Sequence, residues 1–308
     1  MTVSPSRASV AAVRKLTLTR LSLLLFAVLV TAAGVFAFHY GSFGWSACHP
    51  ARAPLTAQDR EQAKRALPTL EEIAFQAPDG VTLRGWFVPP KSGKVVILVH
   101  GLGGNRTMLL PDAELMARAG YGVLLPDSRA SGESDGTAAT WGTLEALDVA
   151  AAIRFVRARP GVTRVALLGF STGSNAVTRA AANDPSIAAV VLYATWTSLR
   201  DEMTYKMAEG GPLAAMADLL AFRLSGCDVD DVSSAADMKR IAPRPVIFVS
   251  GGQDTDTPPE IMDRMYALTS PPKELWRLPA VGHGGYAEAE PAEFERRVIG
   301  FLDKYLGR

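Results

Sequence analysis

The 308-residue chain is poor in the residue types that carry metal or redox chemistry, with two cysteines and four histidines. Cys48 and Cys227 cannot build a disulfide-dense scaffold or, by themselves, a thiolate zinc site. No H-E-x-x-H spacing compensates, so no metal site is expected. An excess of charge of one sign is lacking too. Lys and Arg number 32 against 31 Asp and Glu, a net charge of +1. Such a balance leaves no basic footprint for nucleic acid, which is not expected as a partner. Charged residues are only 20% and apolar residues 48%, a composition that excludes disorder for most of the chain. The length is ample for one large core or two smaller ones.

The apolar excess is concentrated at the N-terminus. Leu21 to Phe38 is a run of 18 residues without a formal charge. At about 1.5 Å per residue it approaches the roughly 30 Å core of a bilayer. Leu16, Leu18 and a snorkelling Arg20 extend it, so the span is expected over about 16–38. Arg7, Arg14, Lys15 and Arg20 precede the run, and the first acidic residue after it is Asp59. The positive-inside rule then places the N-terminus in the cytoplasm and everything beyond residue 40 across the membrane. The expected organisation is a tip, anchor and linker over 1–45 and one globular domain over 46–308. A signal peptide cut after Val35 and Ala37, releasing a secreted protein, is the competing reading. The run is long for the apolar region of a signal peptide, which favours an uncleaved anchor. Ser46-Ala47-Cys48 faintly resembles a lipoprotein cleavage site, but Trp45 stands where a small aliphatic residue belongs. In an oxidising space Cys48 and Cys227 could pair. Unpaired structural cysteines are the preferred reading.

Beyond the anchor, a short helix is expected around Thr56 to Ala66, then strands at Glu72–Gln76 and Val81–Val88 joined by a Pro78-Asp79-Gly80 turn. Val95 to Val99 has no polar face, as a central strand covered on both sides requires. Similar runs return at Gly122–Leu125, Val165–Leu168, Ala189–Leu192 and Val246–Val249, with a strand near Leu275–Leu278. Helical patterns fall at Met108–Ala119, Leu144–Ala158, Asn175–Ala182, Ile261–Leu268 and Phe294–Tyr305. This alternation predicts an α/β fold with a doubly wound, mostly parallel sheet. About residues 197–243, after the sixth strand, break the rhythm and contain a helix at Leu213–Leu224. This insertion follows the carboxyl end of a central strand, where open α/β sheets bind ligands, and it reads as a lid. Met203, Tyr205, Met207, Leu213, Met216, Leu219 and Phe222 could line an apolar pocket or pack the insertion onto the sheet.

Gly169-Phe170-Ser171-Thr172-Gly173 follows the strand Val165–Leu168 and opens a helix. That is the strand–sharp turn–helix setting of a nucleophile elbow. In these residues the chain resembles the α/β-hydrolase superfamily over about 70–306. More narrowly it resembles membrane-anchored or exported BEM46-like serine hydrolases. The narrower likeness rests on the small insertion, on His100-Gly101-Leu102-Gly103-Gly104-Asn105-Arg106, and on the Asp127–Gly136 segment. The resemblance implies Ser171 as nucleophile, followed in chain order by an acid and a histidine. Asp254, in Ser250-Gly251-Gly252-Gln253-Asp254 after the apolar strand, is the expected acid, with Asp256 its rival. His283, in the glycine-rich loop Ala280–Tyr286, is the expected base, because His39 and His49 belong to the leader and His100 ends a strand. By the resemblance, the backbone N–H groups of Leu102 and Thr172 form the oxyanion hole. His100 is then a buried support for the loop. Asn105, Arg106 and Arg129 could contact an acyl or phosphate group but are preferably read as a solvated, ion-paired rim, and Ala130-Ser131 as a loosening of the Asp127–Gly136 loop. Trp141, Glu145 and Asp148 read as structural.

Together these readings imply a hydrolase of small-molecule or lipid-like carboxylic esters, acting through a Ser-His-Asp triad and an acyl-enzyme, a mechanism that needs no metal, nucleotide or redox cofactor. Peptidase, amidase or acyltransferase activity is the alternative on the same machinery. A non-catalytic envelope binding protein is a further class.

Overall fold

The alternation of β3 (Lys94–Val99) shows how the domain is layered. In the computed structural model, which describes residues 7–40, 42–207 and 211–307, Val96 and Leu98 enter one apolar core while Val95, Ile97 and Val99 enter another. A strand buried on both faces cannot tolerate polar alternation, which is why this segment reads as an unbroken Val/Ile/Leu run. Residues 1–6 of the expected cytoplasmic tip and 208–210 of the insertion lie outside the described residues.

The other strands are β1 (Glu71–Gln76), β2 (Thr82–Val88), β4 (Gly122–Pro126), β5 (Arg164–Phe170), β6 (Ala189–Tyr193), β7 (Val246–Gly251) and β8 (Lys273–Leu278). They form one eight-stranded sheet in the order β1-β2-β4-β3-β5-β6-β7-β8. β1 and β2 pair antiparallel at one edge, and β2 joins β4 antiparallel. All remaining neighbours are parallel.

The helices are α1 (Arg7–Tyr40), α2 (Ser42–Cys48), α3 (Ala57–Ala66), α4 (Leu110–Arg118), α5 (Glu145–Arg157), α6 (Thr172–Asn183), α7 (Leu199–Lys206), α8 (Gly211–Leu224), α9 (Ser234–Ile241) and α10 (Pro259–Leu268). Helical segments over residues 286–306 close the chain. α3 begins where Thr56 and Asp59 form a reciprocal capping box, the arrangement that satisfies two orphan N–H groups at once. Residues of α3, α4 and the C-terminal helices cover one face of the sheet. Residues of α5, α6, α9 and α10 cover the other.

The insertion after the sixth strand consists of α7, α8 and α9. Its core is a separate apolar cluster that joins Met203, Met207, Phe222 and Cys227 to Cys48 and Trp141. The two cysteines are free and buried, and the Cys227 thiol donates to the Thr140 carbonyl at 3.4 Å. The neighbouring Cys48 thiol and burial together hold the Cys227 thiol well above its ordinary pKa. Of the seven insertion side chains available for a pocket, Met203, Met207 and Phe222 are buried in this cluster and Leu219 packs on it. Tyr205, Leu213 and Met216 are exposed. α1 carries a 20-residue apolar stretch, Thr17–Phe36, with a mean hydropathy of 2.0 and no burial. Its length and composition suit either a membrane anchor or a cleavable signal sequence.

The parallel registers bring the carboxyl ends of the central strands together. Val99 lies opposite Gly169, Phe170 opposite Tyr193, and Tyr193 opposite Val249. The chain leaves β3 to build β4 on one side and β5 on the other, which makes the carboxyl end of β3 a topological switch point. α6 begins at Thr172, earlier than the helical pattern from Asn175 suggests, because Gly173 lies inside the helix. A Cβ on Gly173 would stand 2.4 Å from the Val99 carbonyl oxygen and 2.5 Å from that of His100. Backbone atoms at a strand end cannot retreat from such a contact. Gly173→Ala is therefore expected to lower stability by about 1–3 kcal/mol, although alanine is the better helix former. Chemical denaturation of parent and variant checks this, and equal midpoints would contradict it.

Candidate active site

Ser171 occupies the turn between β5 and α6 with φ 53° and ψ −122°. A non-glycine residue reaches this region only when its surroundings over-determine it. Here the Ser171 N–H donates to the Tyr193 carbonyl at 3.0 Å, and the Ser174 N–H donates to the Ser171 carbonyl at 2.8 Å. Gly169 has no room for a side chain either, since its Cβ would meet the Gly173 carbonyl oxygen at 2.6 Å. The glycines on either side of the serine thus allow the close packing that holds the turn sharp.

Asp254 and His283 come from the loops after β7 and β8. Asp254 Oδ2 accepts a hydrogen bond from His283 Nδ1 at 2.8 Å. Its Oδ1 accepts the backbone N–H groups of Asp256 at 2.9 Å and Thr257 at 2.8 Å. The carboxylate is buried, and these three donors fix its plane. The imidazole proton therefore sits on Nδ1, which leaves Nε2 as the nitrogen available to the cavity. Asp256 points elsewhere: its carboxylate meets Lys206 Nζ at 3.2 Å. The two loops are held together by backbone contact, because a Cβ on Gly251 would lie 2.1 Å from the Gly282 carbonyl oxygen. Phe170 packs on the His283 ring, with centroids 4.8 Å apart.

Ser171, Thr172, Leu102 and His283 line one cavity of 320 Å³. Gly101 lies against the serine, as a Cβ there would be 3.2 Å from Ser171 Cβ. His100 is buried and supports this loop. Its Nε2 accepts the Ser128 N–H at 3.0 Å, and its Nδ1 lies 2.7 Å from the Gly101 carbonyl oxygen. Nε2 acts as the acceptor, so the proton is on Nδ1 and is donated to Gly101. Burial lowers the pKa of His100 and keeps the ring neutral.

The expectation of a solvated rim is corrected. Arg106 and Arg129 are buried. Arg106 donates to Asp127 at 2.6 Å and to Glu133 at 3.1 Å. Arg129 binds Asp148 at 2.7 Å and Asp79 at 2.8 Å. Asn105 is also buried, and its side chain accepts the Thr107 N–H at 2.8 Å. The two arginines are internal braces, because each guanidinium is buried and paired with a buried carboxylate, Asp127 or Asp148. Removing one partner of such a buried pair typically costs about 3–5 kcal/mol. The Asp127–Gly136 loop is also tighter than Ala130-Ser131 suggests. Ala130 adopts φ 56°, and Asp127 Oδ2 accepts the Glu133 N–H at 2.8 Å. Glu145 accepts the Thr140 and Gly142 N–H groups at 2.6 and 2.8 Å. Trp141 donates its indole N–H to Ala47 at 3.1 Å and also lines the serine's cavity.

Glu202, Lys206 and Thr257 line the polar side of the cavity and carry no sequence motif, and Asp256, the rival acid, lines it as well. The spacing of Glu202 and Lys206 on α7 could have shown that they share a helix face, but not that the face meets the serine.

The fold agrees with the comparisons. A family model described as alpha/beta hydrolase fold matches residues 94–218, and the chain belongs to the α/β-hydrolase superfamily. It is similar to the YfhR protein of Salmonella typhi, with 31% identity over 69% of this chain and 74% of that protein. It also resembles protein bem46 of Schizosaccharomyces pombe, with 26% identity over 69% of this chain and 70% of that protein. A solved structure of the Pyrococcus furiosus esterase Pf2001 superposes with a TM-score of 0.70 at 24% identity. That match spans 85% of this chain and 100% of the esterase.

Glu202 provides a test of the cavity's electrostatics. Burial pushes its pKa from 4.5 up to about 8, against the opposing pull of Lys206. A carboxyl that holds its proton longer in the fold contributes stability that is complete below pH 4.5 and is lost between about 4.5 and 8. Relative to Glu202→Gln, the parent should therefore lose up to about 1.4 kcal/mol per pH unit across that window. Denaturation of both proteins at pH 5, 6.5 and 8 measures the slope. A difference independent of pH would contradict it.

Proposed function

We propose that the protein is a membrane-anchored serine hydrolase that cleaves carboxylic esters through Ser171, His283 and Asp254. The observation that carries this reading is the 2.8 Å hydrogen bond between Asp254 and His283, in a histidine that shares its cavity with a serine at a strained strand–helix turn. His283 Nε2 takes the proton of Ser171 as Oγ attacks the ester carbonyl. Asp254 holds the ring's orientation and stabilises the imidazolium that forms. The N–H groups of Leu102 and Thr172 receive the developing oxyanion, a contribution of roughly 3 kcal/mol for each donor. His283 then returns the proton to the leaving alcohol, and a water activated by the same nitrogen releases the acyl group.

The similar Pyrococcus furiosus protein is an esterase, which accords with this chemistry. α1 is the anchor in this reading. The basic residues that precede its apolar run and the absence of acidic ones until Asp59 orient the catalytic domain outside the cytoplasm.

Initial rates on esters from acetyl to palmitoyl, with the full chain in detergent and its Ser171→Ala variant, test the proposal. Loss of the nucleophile should lower kcat by at least about 10⁴-fold. The cavity is near the lower bound of ordinary ligand pockets, roughly 300–1,000 Å³, so the rates should peak among short acyl groups. A folded parent no faster than the variant on every ester would contradict the reading.

A further inference from the structure

The insertion carries an apolar surface that the proposed catalysis does not use. On α8, Leu213, Met216, Leu220 and Leu224 are 56–76% exposed. At about 100° per residue they fall on one stripe roughly 80° wide. The opposite side of the helix is buried through Ala214, Asp218 and Phe222. α8 is therefore seated on the domain by one face and presents four large apolar side chains on the other. A stripe of this kind on a soluble surface is a liability unless something covers it.

The location of the stripe indicates what that is. α1 contacts α8. α2, which begins two residues after α1 ends, is locked to α8 through the Gly44 N–H, which donates to Asp218 Oδ1 at 2.8 Å. That junction is made backbone to backbone, since a Cβ on Gly44 would stand 2.4 Å from the Asp218 carbonyl oxygen. Gly44 is only eight residues beyond Phe36, the end of the apolar stretch. So short a separation keeps α2 within reach of the headgroup zone that flanks a bilayer core. α2 adds its own exposed apolar residues, Phe43 and Trp45, and tryptophan is favoured at that depth.

We infer that the exposed face of α8, with Phe43 and Trp45, docks into the headgroup–acyl boundary of the bilayer that α1 spans. The inference rests on the reading of α1 as a membrane helix and is independent of the ester chemistry. An interfacial helix of this kind buries its apolar face about 5–10 Å into the boundary. α7, which contributes Glu202 and Lys206 to the cavity, shares an apolar cluster with α8. The membrane would therefore bear on one wall of the candidate active site.

The test uses the full chain in phosphatidylcholine–phosphatidylglycerol vesicles. Cysteines are introduced one at a time as Leu24→Cys on α1, Leu220→Cys on α8 and Leu268→Cys on α10. Each is labelled with nitrobenzoxadiazole, and the labelled parent corrects for Cys48 and Cys227. Doxyl groups on the lipid, near the headgroup or deep in the chain, then quench the probes. Docking predicts several-fold stronger headgroup-region quenching at Leu220 than at Leu268, with deep quenching at Leu24. Quenching at Leu24 with none above the Leu268 level at Leu220 overturns the docking and leaves the anchor standing. Absence at both overturns docking and anchor together. A blue-shifted Leu220 probe without lipid quenching indicates a second copy of the chain as the occupant, and also overturns it.

Discussion

The candidate site depends on one steric constraint, the near-contact of backbones where β3, β5 and α6 meet. Gly173 lies against the carbonyls at the end of β3, and Gly169 lies against the first turn of α6. This packing allows Ser171 to remain at positive φ, a conformation an isolated residue would leave. The same approach brings the Gly101 loop to the serine. If the turn relaxed, the serine and the Leu102 loop would separate, and the cavity they line would lose its floor. The strain is local, but the strands that hold it extend across the sheet.

A second layer keeps the loops in place. Asp127 and Asp148 lie beneath the Asp127–Gly136 segment and its following helix, each bound to an arginine that is itself buried. His100 extends this layer to the loop beside the serine by joining Ser128 to Gly101. On the far side, Asp254 is held by two backbone donors as well as by His283. Residues outside the cavity thus determine how its chemical groups are presented. Buried, hydrogen-bonded ion pairs of this kind restrict the loops to one geometry.

Much of the fold was legible because both-face burial leaves a strong signature. Every apolar run from Val95 onward became a parallel strand, and the Gly-x-Ser-x-Gly turn was visible from its strand and helix flanks. The insertion after β6 was legible as an interruption, and its α8 nearly to the residue. Its other two helices were not, since α7 is mostly polar and its burial depends on neighbours distant in sequence. The arginines were misread for a related reason: an Arg in a loop resembles a solvated residue until a buried carboxylate is brought to it by tertiary structure. Ala130 shows the same limit, because only its surroundings force an alanine into a conformation that favours glycine. Glu202 and Lys206 reach the cavity through the fold alone. Asp254 and His283 stood out by their settings after predicted strands, whereas their hydrogen bond is a property of three dimensions.

The most direct test of the central claim, that Ser171 is an activated nucleophile, is mass spectrometry of the full chain after reaction with a fluorophosphonate. The account predicts a single stoichiometric phosphonyl adduct on the peptide containing Ser171, and none in an Asp254→Ala, His283→Ala double variant that remains folded. An unmodified Ser171 in folded parent protein would contradict it. Equal labelling in parent and double variant would do the same, since the serine would then react without the histidine and carboxylate.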